Sequence, residues 1–398
     1  MTKVEHFAPG HQASNWPAVA AVATATFSVV TTEMLPVGLL PTISAELGVS
    51  TGTAGLTMTV PGLVAAGAAP LVALTVGRMD RRWVLVGLAS LLTAANLLSA
   101  VAPGFTMLLA LRALIGVCIG GIWAISGGLA VRLVPQGSVG SATSVIFSGI
   151  AVASVLGVPM GTLTGDLFGW RAAFLAMGVL SLGVTVALAV LLPPLPPQRA
   201  VRIGELTRLL RNSRVRAGLL VIMLLVTGHF AAYTYVRPVL EGPYVVAPTL
   251  VSALLLLFGV AGVAGNFLGG AMATRDPRRA LLVIPAVLVV VLSVVPFGSG
   301  PVTAAVLLLG WGLGYGGVSV STQSWLLASA PQAPEATTVL FVTTFNVAIS
   351  LGALVGGRTV DIVSSSGVMW LGGALALLAL VAVAGRGSGS RLGNRVRT

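Results

Sequence analysis

The stretch ALTVGRMDRRWVL (residues 73–85) returns as GAMATRDPRRALL (270–282), so that Arg78, Arg81 and Arg82 align with Arg275, Arg278 and Arg279 at an offset of 197. Each copy closes one apolar run and opens the next, marking the same turn in two halves of the chain. Working outward from the two turns, apolar runs fall near 17–40, 52–76, 83–103, 105–131, 139–164 and 170–193, then 217–239, 247–273, 280–297, 301–329, 335–357 and 366–384. A bilayer span needs about 20 apolar residues, so 398 residues hold about twelve spans and little else. The composition agrees: 56% apolar and 8% charged residues, with a mean hydropathy of +1.01, do not suit a water-soluble domain. The expected fold is an all-α integral membrane protein of twelve transmembrane helices in two six-helix pseudo-repeats. Parallel repeats of this kind place a substrate site between the halves near the bilayer midplane.

The expected organisation is a tail (1–16), a first bundle (17–193), a basic linker (194–216), a second bundle (217–385) and a basic tail (386–398). The linker region, PPLPPQRAVRIGELTRLLRNSRVRAG (193–218), starts proline-rich and turns basic. Ile203, Leu206, Leu209 and Leu210 give it one apolar helix face, which reads as a segment lying along the membrane surface.

The net charge of +12 suggests a nucleic-acid partner until it is laid on the spans. With the N-terminus in the cytoplasm, eighteen of the 22 Lys and Arg residues fall inside, Arg171, Arg237 and Arg358 fall outside, and Arg112 lies within a span. This is the positive-inside pattern. It predicts a multi-pass protein of the cytoplasmic membrane, both termini cytoplasmic, its basic face toward anionic headgroups, with no nucleic-acid partner. One cysteine, Cys118, and three scattered histidines, His6, His11 and His229, supply neither a disulfide nor a metal cluster. No phosphate-cradling loop or nucleophile elbow is present. No cofactor, metal or enzymatic activity is expected, and the chain reads as a monomer.

A carboxylate within a span is expensive and is kept for function or paired, which singles out Glu33 in SVVTTEMLPVGLLP (28–41). At 1.5 Å per residue, Glu33 lies about 7 Å and Arg112 about 9 Å to the outer side of their spans' midpoints. Burial and a neighbouring arginine act oppositely on a carboxyl's affinity for protons, so the two form a candidate proton switch: a proton arriving at Glu33 from outside releases Arg112 or the substrate. His229 falls one residue from the repeat-equivalent of Glu33 and is the candidate second proton carrier. Trp123, Tyr233, Tyr235 and Asn346 are candidate cavity residues. Gly116 and Gly120, Gly157, Gly161 and Gly165, Gly265 and Gly269, and Gly352 and Gly356 form small-xxx-small ridges that let helices approach closely.

Several stretches resemble the major facilitator superfamily, in particular its twelve-span drug:proton antiporter group and, within that, the sugar-efflux and arabinose-efflux permease branch. TTEMLPVGLLPTISAELGVS (31–50) is similar to that family's first span and loop, and LRALIGVCIGGIWA (111–124) to its fourth span. LGVPMGTLTGDLFGWRAAF (156–174), with Gly157, Pro159 and Gly161, resembles the exporter pattern of span 5, and GHFAAYTYVRPVLE (228–241) the branch's span 7. The resemblance covers about Trp16 to Gly385. It implies export of small organic molecules, drug-like compounds or sugars, by proton antiport with alternating access, a proton-independent facilitator being the alternative and a membrane sensor a remote one. It also implies a gate formed by Arg78, Asp80, Arg81, Arg82, Arg275, Arg278 and Arg279. Where the family carries an Asp in the loop between spans 2 and 3 this chain has Gly77, and Asp80, three residues on, is expected to supply the missing charge.

The arginine asymmetry fixes an outcome for topology. In a variant lacking Cys118, a cysteine introduced at Arg208 is expected to resist impermeant thiol reagents in intact cells and to react after permeabilisation; strong labelling of intact cells would reverse the orientation.

Overall fold

A computed structural model describes residues 15–75, 79–126, 128–196 and 203–385. Among the described residues, twelve helices are long and apolar enough to cross a bilayer: Trp16–Leu47, Thr51–Thr75, Arg81–Ala100, Phe105–Ser126, Gln136–Phe168 and Trp170–Leu191, then Ser213–Tyr233, Pro248–Arg275, Pro277–Phe297, Gly300–Ser329, Pro334–Ile362 and Gly367–Gly385. They are spans 1 to 12. The two repeats are the six spans before and the six after the linker, and no strand occurs among the described residues. Span 1 runs past its expected end, because Pro36 and Pro41 bend it without ending it and the chain turns only at Gly48, a left-handed C-cap at φ 64°. Prolines survive inside membrane helices where neighbours satisfy the carbonyls they orphan.

The turns of the internal repeat take the same form. Asp80 caps span 3 by accepting from the Arg82 N–H at 2.9 Å, and Asp276 caps span 9 through the Arg278 and Arg279 N–H groups. Span 9 starts one residue earlier relative to its arginines, the difference being Pro277 in its first turn. The turn residues Gly77 and Arg78 lie outside the described residues. Both turns lie at one end of the molecule, called here the arginine-rich end. The same end holds the linker helix Ile203–Leu210. Its Leu209 is buried and Leu206 packs on the core, whereas Leu210 is 44% exposed, so the expected apolar face is narrower than four residues.

Glycine sets how closely the spans approach. Gly116 and Gly120 lie on the Pro61–Ala69 stretch of span 2, and Gly157, Gly161 and Gly165 on Thr31, Leu35 and Leu39 of span 1. Gly265 and Gly269 meet the backbone of span 10 at Leu313 and Gly317, and Gly352 and Gly356 that of span 7 near Ala231. All four ridges therefore pack spans within their own repeat. Span 5 also contains a π-helical turn, Ala153–Gly157. Its cause is Pro159, which has no N–H for the carbonyl of Val155 and crowds it. Against this widened turn the other repeat comes close, Gly259 of span 8 lying on Ser154 and Val155.

The neighbours of these glycines predict unequal costs. A Cβ at Gly120 would strike the backbone of Ala65 and Ala69, whereas one at Gly161 would strike only the tip of Leu35. Gly120→Ala is expected to lower stability by about 1–3 kcal/mol, the range for overpacking, and Gly161→Ala by clearly less, as read from thermal unfolding of the purified proteins in detergent.

Candidate functional site

Arg112 is fully buried, and all three of its donor nitrogens are committed to backbone carbonyls. Nε donates to Thr57 at 2.7 Å, one terminal nitrogen to Thr32 at 2.7 Å and the other to Glu33 at 2.9 Å. Two of these carbonyls have lost their helical donors, since the residues four positions on are Pro36 and Pro61. The guanidinium, with five N–H groups in a rigid fork, thus fills the vacancies left by two prolines and joins spans 1, 2 and 4.

The structure brings Arg112 beside Glu33 as expected, but to its backbone. No hydrogen bond or ion pair to the Glu33 carboxylate occurs among the described residues, although Arg112 lies within electrostatic reach. Release of Arg112 on protonation, as the sequence suggested, conflicts with a guanidinium held by three carbonyls; it is better described as a fixed positive charge. The other described acids are engaged or exposed: Asp80 and Asp276 cap helices, Glu46 binds Arg171 and Trp170, Asp166 and Glu241 bind Arg237, Asp361 binds Ser50, and Glu205 and Glu335 are exposed. Glu33 alone among them is buried, at 5% exposure, with its carboxylate unbonded.

Tyr315 of span 10, in the opposite repeat, also lies within electrostatic reach of Glu33, and its hydroxyl is buried without a hydrogen-bond partner. It belongs to an aromatic cluster. The His229 ring lies flat against Tyr315 and Tyr233, and Phe258 stacks on Tyr233 at 4.7 Å. Trp311 meets the rings of His229, Tyr233 and Phe258 edge-on and donates its indole N–H to His229 Nδ1 at 3.1 Å. An indole nitrogen can only donate, so Nδ1 is an acceptor and the ring proton sits on Nε2. The role expected for His229 as proton carrier needs the lone pair that this bond already uses.

The remaining sequence candidates divide. Tyr233 joins the aromatic cluster, while Tyr235 is a strut whose hydroxyl donates to the Ala353 carbonyl at 2.7 Å. Asn346 is buried on span 11 with Oδ1 unpartnered. Trp123 sits apart, against Phe147 of span 5 at 6.4 Å. Asp80 accepts from the N–H groups of Arg82 and of Leu195, the latter just past span 6, and Arg82 donates to the Ala189 carbonyl in its own repeat. Arg275 and Arg279 are exposed at the surface of the second repeat. Of the described members of the expected gate, Arg81 lies within electrostatic reach of an acid of the other repeat, Glu335 of span 11.

Four hydrogen bonds join the two repeats among the described residues, all at the end opposite the arginines. Arg237, 3% exposed, donates to the Gly38 carbonyl at 2.5 Å and to Asp166 at 2.7 Å, and within its own repeat to Glu241 at 2.8 Å. Asp361 accepts from the Ser50 hydroxyl at 2.7 Å and the Gly52 N–H at 2.9 Å. The sequence reading counted Arg237 only for topology and passed over Asp166 and Asp361, although two of the three lie inside stretches it quoted. The aromatic partners Phe258, Trp311 and Tyr315 carried no sequence signal, because helix crossings alone bring them together.

The family model of the Major Facilitator Superfamily matches residues 22–352. The purine ribonucleoside efflux pumps NepI of Salmonella paratyphi B and of Salmonella enteritidis are each 35% identical to the chain over 383 residues, covering 95% of it and 96% of the pump. Among solved structures, the nucleoside transporter NupG aligns with a TM-score of 0.76 at 11% identity, covering 92% of this chain and 98% of that one. A bacterial homologue of the human lysosomal transporter Spinster, inward-facing and unoccupied, aligns with a TM-score of 0.72 at 14% identity over 94% and 96% of the two chains. At such identities the structures speak for the fold alone. Matched in sequence and in fold over most of its length, the chain belongs to the major facilitator superfamily of membrane transporters.

Proposed function

We propose that this export transporter moves purine-ribonucleoside-like molecules out of the cell in exchange for protons, with Glu33 as the coupling group. The observation that carries the coupling role is the Glu33 carboxylate itself, buried and unbonded beside a fixed guanidinium and facing Tyr315 of the other repeat. A group so placed can take or release a proton without breaking the scaffold, because Arg112 serves the backbone whichever form Glu33 adopts. The substrate classes read from sequence were drug-like compounds and sugars. The relatives named as purine ribonucleoside pumps add a class that joins a planar heterocycle to a sugar. Supporting it, the rings of Tyr233, Phe258 and Tyr315 offer stacking surfaces, and the unpartnered Tyr315 hydroxyl and Asn346 Oδ1 suit polar substrate groups.

The seam bears on which face of the transporter is closed. If the arginine-rich end faces the cytoplasm, the four inter-repeat bonds close the outer face, and outward opening must break them. Arg237 is then an outer latch, and Arg81 with Glu335 a candidate for the inner one.

Two outcomes follow. In proteoliposomes, Glu33→Gln is expected to lower adenosine or guanosine transport driven by a pH gradient at least tenfold while exchange of labelled for unlabelled nucleoside persists. Proton flux linked to substrate in that variant would move the coupling site elsewhere, and its absence in the wild type would leave a facilitator. Arg237→Gln removes the donor to both Gly38 and Asp166, two of the four bonds across the seam. It is therefore expected to open the outer face, seen as faster labelling of a cysteine at Ser350, which lies against Gly62 across the seam, by an impermeant reagent added outside; unchanged labelling would show that the latch does not hold the closed state.

A further inference from the structure

At the arginine-rich end of the second repeat, spans 7, 9 and 10 enclose a groove of about 830 Å³. Its mouth carries the guanidinium groups of Arg214, Arg216 and Arg278, and its wall continues to Leu220 and Trp325. Arg214 and Arg216 make no side-chain hydrogen bond or ion pair among the described residues, and Arg278 has only a 3.5 Å contact to the Ala384 carbonyl. The single acid in the lining, Asp276, is spent on capping span 9 through two backbone N–H groups. Trp325 holds the wall in place by donating to the Arg214 carbonyl at 3.2 Å. Little more than one helical turn along span 7 from Arg216, Leu220 is 44% exposed. With one acid beside three arginines, the groove joins a mouth of net positive charge to an apolar floor.

We infer that this groove is a binding site for one anionic phospholipid of the surrounding bilayer, the phosphodiester held by Arg214, Arg216 and Arg278 and an acyl chain lying along Leu220. Guanidinium groups match phosphate oxygens in geometry and charge, and basic pockets between membrane helices are a recognised form of headgroup site. The position suits a lipid. Span 9, which lines the groove, packs chiefly on its own repeat, and no lining residue lies on spans 8 or 11 or the helix Val236–Glu241, which make the seam between repeats. The chain's own tail is a poor occupant, since residues 386–398 carry four arginines and no acid.

The inference is separable from the transport mechanism, because none of its residues touches Glu33 or the seam. The test uses the full-length protein, delipidated in detergent and titrated with dioleoylphosphatidylglycerol, dioleoylphosphatidylcholine or inorganic phosphate, reading bound lipid by native mass spectrometry and stability by thermal unfolding. Expected is saturable binding of one phosphatidylglycerol with a raised unfolding temperature, at least tenfold weaker for phosphatidylcholine. Arg216→Gln, exposed and without a side-chain bond, is expected to weaken binding about tenfold and to remain folded. Leu220→Trp, which fills the floor and keeps every charge, is expected to weaken the lipid but not phosphate. The linker variant Arg208→Gln is expected to bind as wild type. Equal binding by Arg216→Gln and wild type, or equal binding of the two lipids, would overturn the site. Phosphate protecting as well as phosphatidylglycerol, with Leu220→Trp neutral, would assign it to a soluble anion instead.

Discussion

A carbonyl that loses its helical donor inside a bilayer has no water to turn to, and this constraint is met here by one side chain. Pro36 and Pro61 bend spans 1 and 2 at the depth where the two repeats face each other, and each orphans the carbonyl four residues before it. Arg112 answers both, so that three helices are tied at one point by a charge that would otherwise be intolerable in the membrane. The bends, the burial of the arginine and the placing of Glu33, whose own carbonyl Arg112 also binds, are one arrangement. Glu33 owes its freedom to it: since Arg112 is satisfied by backbone, the carboxylate is left beside a positive charge without being bonded to it.

The seam between the repeats is uneven. At one end it is polar and bonded, through Arg237 and Asp361; at midplane it is made by small residues, with Gly62 of span 2 against Asn346 and Ser350 and Gly259 of span 8 against the π turn of span 5. Small-residue contacts slide and re-form without leaving polar groups unsatisfied, whereas the bonded end must exchange its partners all at once. A structure assembled this way concentrates resistance to opening at one end.

How much was readable in advance follows physical range. The twelve spans were legible because hydropathy is a local property summed over about 20 residues, and the internal repeat because its arginines recur in register. Glu33 and Arg112 stood out because charge in a span is rare. Their relation was misjudged because the carbonyls that hold Arg112 carry no side-chain signature, although Pro36 and Pro61, each four residues past a liganded carbonyl, were in view. Asp80 looked like a replacement gate charge, but the residue next to it starts a helix, and an aspartate there is drawn to the free N–H groups of the first turn. The aromatic cluster around His229 joins spans 7, 8 and 10, and nothing along the chain announces which of the seven tryptophans or four tyrosines will meet.

The π turn at Ala153–Gly157 has a consequence for the phase of span 5. At about 100° per residue, Gly149 and Gly157, eight positions apart, would point about 80° from one another on an unbroken α-helix. Both nevertheless lie against span 1, Gly149 on Ala23 and Gly157 on Thr31. The wide turn absorbs roughly one residue and brings the two halves of the stripe back into line. Pro159 thereby acts as a phase corrector, and a helix that closed the π turn would have to rotate one half of span 5 by about a quarter turn, carrying either the glycines at Gly149 or those from Gly157 onward off span 1. Span 5 thus holds two azimuths in one sequence, separated by a single residue's worth of winding, at the place where span 8 of the other repeat rests on it.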